Sequence, residues 1–198
     1  ALHYPDEALL SIPLILSFFV LSGMRMVFVI PAELAANWVF QITEDNDHKD
    51  CLSGVRKAML LLGIVPLFTL LFPLYSLLWG PGPALFDTAF GIALGLALIE
   101  LLLLNFRKVP FTCSYLPDKA NFVVLAGLFW LALTTYGYTM ARLEYWMLRD
   151  PTRWITGLAV AVAGVVCLMD FRDRVLARGF DFVYEEEPDP AVRELGLS

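Results

Sequence analysis

Arg25 and Glu100 stand inside apolar stretches, where a charge must be paired or put to work. A charged side chain at the centre of a membrane span costs about 2.5–3.5 kcal/mol on insertion scales. A carboxylate so placed can handle protons or hold a substrate; an arginine can neutralise it or reach toward the headgroups. Glu100 lies ~9 Å from Phe106 along a helix, and Arg25 precedes Ile30 by a similar distance. An Arg25–Glu100 pair is therefore one expectation, if both approach the same membrane face. A proton- or substrate-handling carboxylate at Glu100 is the functional alternative, and simple snorkelling is the third.

Other reactive types are sparse. His48, Cys51 and Cys113, with Asp47 or Asp50, have the donor chemistry of a zinc site, and the HxxC spacing is short enough. No CxxC and no second histidine accompany them, so no metal is expected. The three cysteines are odd in number and make no disulfide framework. Cys167, in an apolar helix, reads as a small hydrophobe. P-loop, dinucleotide, HExxH and GxSxG motifs are absent. No histidine falls in an apolar stretch, which argues against a haem held by histidine. No catalytic residue and no cofactor are expected.

The elements that carry these residues follow from the apolar content. Of the 198 residues 59% are hydrophobic and only 17% charged, and the mean hydropathy is +0.68. The apolar residues fall in blocks of about 20, enough to cross a ~30 Å hydrocarbon core as helix. Spans are expected at about 8–30, 58–79, 84–106, 122–146 and 152–171. An isolated strand would leave backbone groups unpaired in lipid, so the spans must be helices. The expected fold is all-α, an integral membrane bundle of about five helices, with an interfacial helix at 31–43. That last segment, PAELAANWVFQI, places Leu34, Trp38 and Ile42 on one face. A continuation of the first helix into water fits it equally well. Residues 1–172 make the membrane domain, and 173–198 an acidic cytoplasmic tail. The sequence begins at Ala1 with no basic n-region before the first span, so it is expected to be the C-terminal part of a longer chain.

Lys and Arg set the threading. They occur at Lys49, Arg56 and Lys57, at Arg107, Lys108 and Lys119, and at Arg172, Arg174, Arg178 and Arg193, whereas the GPGPAL turn has none. The N-terminus is then outside and the C-terminus cytoplasmic. Arg149 and Arg153, in LRDPTR, are the exceptions. The net charge of −6 and the scattered basic residues give no basis for nucleic-acid binding.

Several features bear on use. Pro66 and Pro73 share a face of the second span and bend it, as a hinge or as a static kink. Gly91 and Gly95 form a GxxxG face, and Gly157, Ala161 and Gly164 a similar one; both indicate close packing. Thr135, Tyr136, Tyr138, Thr139, Arg142 and Glu144 make one end of the fourth span polar, as an aromatic belt or as a vestibule. The segment RKVPFTCSYLPDKANF is longer than a return loop needs, and Thr112, Cys113, Ser114 and Tyr115 are the candidate contact for a cytoplasmic partner. Partners are thus the lipid bilayer and, besides it, other membrane helices or a cytoplasmic subunit. Two functions fit: a permease-like domain of a transport system, or a non-catalytic membrane subunit or scaffold. A lipid-modifying enzyme would need a convergent polar cluster, which the sequence does not display.

Overall fold

The computed structural model describes residues 5–28, 48–104 and 122–176. They form α1 (Glu7–Val27), α2 (His48–Ala58), a π-helical segment (Met59–Ile64), α3 (Val65–Trp79), α4 (Pro81–Leu103), α5 (Phe122–Leu148) and α6 (Pro151–Leu176). The run from α2 to α3 is unbroken, so it is one rod, and five helices are long and apolar enough to cross a membrane. The fold is an all-α helical bundle with no strand among the described residues. Its helices make the chain a multi-pass membrane protein.

Local chemistry explains the boundaries. Between α3 and α4 the backbone passes through Gly80 at φ 90°, a conformation that glycine adopts without a Cβ clash. Pro81 then opens α4, where its missing N–H is no loss. Pro151 opens α6 in the same way. The Asp150 carboxylate accepts the Thr152 N–H at 3.1 Å and the Thr152 hydroxyl at 2.8 Å, so it caps that helix. These two reversals and the start of α1 define one end of the bundle, here the turn end. The far end carries Val27, His48, Leu103, Phe122 and Leu176.

The π segment stops just before Pro66. Proline offers no N–H to the carbonyl four residues back and crowds it. Widening the preceding turn relieves that conflict, and such bulges recur at functional sites. Pro66 and Pro73 are both exposed on the outside of the rod.

α4 is the central element: it touches α1, the π segment, α3, α5 and α6. Half of its apolar window (50%) is buried, against 11% for α5 and for α6. The Gly91 position meets the Phe68 ring, and Gly95 meets Ile64. The GxxxG face therefore packs within the chain, against the α2–α3 rod. Phe18, Leu21, Ile64, Phe68, Leu98 and Ile99 continue this core. Lipid is as apolar as these side chains, so close fit rather than escape from water holds the helices together.

Two differences from expectation concern length. Helix begins at His48 where a connection was expected, which puts Arg56 and Lys57 on the rod. α6 continues to Leu176, so Arg172, Asp173 and Arg174 are helical rather than part of a tail. Both extensions are polar ends of apolar helices, which hydropathy alone does not reveal. The segments 31–43, 107–121 and 177–198 lie outside the described residues.

Candidate functional site

Two buried ionic centres occupy opposite halves of the bundle. At the far end Glu100 of α4 is 0% exposed. Arg172 of α6 donates from Nη1 to Glu100 Oε2 at 2.6 Å. Nε of Arg56, on α2, lies 2.7 Å from Oε1, a charge contact without hydrogen-bond alignment. Arg172 also holds Asp173 at 2.9 Å, and Arg56 reaches the Met169 sulfur at 3.3 Å. One carboxylate thus ties three helices, and its charge is fully compensated.

The expected partner Arg25 is not part of this centre. Arg25 lies in the last turn of α1, half-buried, and none of the ion pairs among the described residues includes it. The reason is geometric: equal depth fixes one coordinate, whereas pairing needs neighbouring faces. The partners Arg56 and Arg172 carried a signal that the topology rule absorbed, since both counted only as cytoplasmic markers.

The second centre lies near the turn end and has no compensating base among the described residues. Asp87 of α4 and Glu144 of α5 are 2% and 0% exposed. Their carboxyl groups act on each other electrostatically, and no hydrogen bond joins Glu144 to Asp87. Asp87 Oδ2 and both Glu144 oxygens accept no hydrogen bond among the described residues, and neither acid has an ion pair with a basic side chain there. Tyr75 of α3 is within electrostatic range of both acids, and Tyr136 of α5 within range of Glu144. The Tyr75 hydroxyl donates to the Leu9 carbonyl at 2.8 Å and so pins α3 to α1. The Trp79 ring packs on Tyr75 with centroids 4.6 Å apart. Among the described residues, the buried Ser76 Oγ, Trp79 Nε1 and Thr88 Oγ1 also have no hydrogen-bond partner, and the Tyr136 hydroxyl, near Ser17, makes no aligned bond.

Buried polar atoms are nearly always satisfied, so this concentration calls for a physical reason. Two adjacent carboxyl groups away from water cannot both carry a bare negative charge. The arrangement is chemically suited to take up one positive charge, either a proton or a small cation. No group of three His, Cys, Asp or Glu side chains gathers among the described residues.

Asp87 carried the same sequence signal as Glu100, a carboxylate within an apolar span, and sequence reasoning missed it. Glu144 was read as part of a polar helix end. Its helical position explains the difference: Gly137, Ala141, Glu144 and Met147 form the buried face of α5. Tyr138, Thr139 and Arg142 of the same polar run are exposed. Thr112, Cys113, Ser114 and Tyr115 lie outside the described residues. No family model, no curated protein and no solved structure matches this chain.

Proposed function

We propose that this chain is a permease-like membrane domain of a transport system in which Asp87 and Glu144 take up and release a proton. The observation that carries the reading is the pair itself: two fully buried carboxyl groups that act on each other, with no ion pair to a basic side chain among the described residues. Ionisable groups inside membrane helices are costly and mark proton or ion paths. Glu100, by contrast, is neutralised by Arg56 and Arg172 and serves to tie the far end together.

The same reading gives the remaining features a part. The π segment and Pro66 make the rod the element that bends, with Pro73 a second weak point; neither proline is locked in the core. The turn end faces outward and both termini of the threading follow the Lys and Arg distribution, N-terminus outside and C-terminus cytoplasmic. The 107–121 connection, with Thr112–Tyr115 at its centre, docks a cytoplasmic subunit. A second reading, a non-catalytic scaffold, draws on the largely unburied faces of α5 and α6; lipid covers such faces equally well.

The test is proton movement in vesicles. The full chain reconstituted with an internal pH dye should acidify the lumen when an outward-to-inward proton gradient is imposed. Asp87→Asn and Glu144→Gln should each abolish the signal, and Arg25→Gln should leave it. Undiminished acidification in both carboxyl variants would overturn the reading.

A further inference from the structure

The turn end of α5 carries a second ordered polar arrangement, on the side turned away from Glu144. Tyr138, Arg142, Tyr145 and Arg149 recur at spacings of four, three and four residues. At ~100° per residue they form one stripe along the helix. Arg142 Nη1 donates to the Tyr138 hydroxyl at 2.8 Å, and Arg149 Nη2 to the Tyr145 hydroxyl at 2.7 Å. The Arg149 guanidinium also lies 4.6 Å from the Tyr145 ring centroid. Beside the stripe Arg153 lies 4.3 Å from the Trp146 centroid. These are cation–π distances.

The stripe is rich in positive charge and poor in counter-charge. Arg153 meets Asp150 at 3.5 Å, and Glu7 acts on Arg149 only through space. Arg142 and Arg149 form no ion pair with a described residue. Each guanidinium has five N–H donors and gives one to its tyrosine, so the others are available to a ligand, and each guanidinium is held beside an aromatic ring, at 5.9 Å for Arg142 and 4.6 Å for Arg149. That geometry matches two oxygens of a phosphate. Arg142 and Arg149 are ~10 Å apart along the axis. The headgroup layer on each side of a bilayer is about 5–8 Å thick, so the two guanidiniums span it and reach just past it. A tyrosine–tryptophan belt belongs at that depth.

We infer that this stripe binds the phosphate of an anionic phospholipid in the leaflet at the turn end. The occupant is a lipid rather than a second copy, because two such stripes facing each other would set arginine against arginine. The inference does not depend on proton transport.

The experiment uses the full chain in nanodiscs of mixed phosphatidylcholine and phosphatidylglycerol, with bound lipid counted by native mass spectrometry. The wild type should retain phosphatidylglycerol in preference to phosphatidylcholine, and added inorganic phosphate should not displace it. Arg142→Gln and Arg149→Gln should each weaken retention on the order of fivefold, corresponding to one basic residue at an anionic surface. Arg174→Gln, at the far end, should not. If the glutamine variants fail to fold, Tyr138→Phe with Tyr145→Phe keeps the charges but frees the guanidiniums, and should lower the preference. Equal retention of both lipids by the wild type, or unchanged preference in the arginine variants, would overturn the inference. So would capture of a carboxylate-bearing membrane helix by a photo-crosslinker at position 142 in place of lipid.

Discussion

At the residue scale, Glu100 decides how the far end is held. Its two oxygens face different arginines, from α2 and α6, so removing either arginine leaves one charge contact. Removing Glu100 leaves two guanidiniums close together without it. Burying an ion pair gains little over an apolar replacement, but breaking one is costly. A double-mutant cycle of Arg172→Ala with Glu100→Gln should therefore show coupling of about 1–3 kcal/mol, and the Arg25→Ala cycle should be additive within about 0.5 kcal/mol. Denaturant unfolding in mild detergent provides the measurement. Asp150 supports a pH prediction. The hydrogen bonds from the Thr152 side chain and backbone hold its carboxyl below the usual range. A lowered folded-state value means that the cap is fully present above the ordinary aspartate value of about 4 and fades as pH falls through the folded one. Hydrogen-exchange protection at 152–155 should then fall in that acid window, and Asp150→Ala should show the lower protection at neutral pH, with the difference from wild type closing as the cap is protonated.

At the element scale, α4 approaches the α2–α3 rod closely through its glycines. A Cβ at Gly91 would collide with the Phe68 ring, whereas one at Gly164 meets nothing within 4 Å. Gly91→Ala should cost about 1–3 kcal/mol through overpacking, and Gly164→Ala should be near neutral. Thermal unfolding of the two variants side by side separates a packed glycine from a lipid-facing one. The GxxxG pattern was legible in the sequence, but the identity of the facing helix was not, because a small residue does not name its neighbour. The helices themselves were legible, since about 20 apolar residues in a row admit no other backbone in lipid. Their polar extensions were not. Arg56 at one helix and Arg172 at another looked like loop charges, and only packing turns them toward Glu100.

At the scale of the whole molecule, the bundle separates a neutralised centre from one with no basic partner among the described residues. Asp87 and Glu100 are thirteen residues apart on α4, ~20 Å along the axis, so the two centres act independently. Apolar content and charge scarcity foretold a membrane bundle; the Asp87–Glu144 pair needed the lateral arrangement of α4 and α5. A cysteine placed at Gly82 should react with an impermeant reagent from outside intact cells, and Cys113 should not; the reverse pattern would invert the threading. The acid pair itself is tested most directly by infrared difference spectra of the full chain in nanodiscs, taken between acid and alkaline buffer. The proton-carrying reading predicts a protonated-carboxyl band that is lost when Asp87→Asn is combined with Glu144→Gln and that survives Glu100→Gln. A band that persists in the double variant, or that vanishes with Glu100→Gln alone, would contradict it.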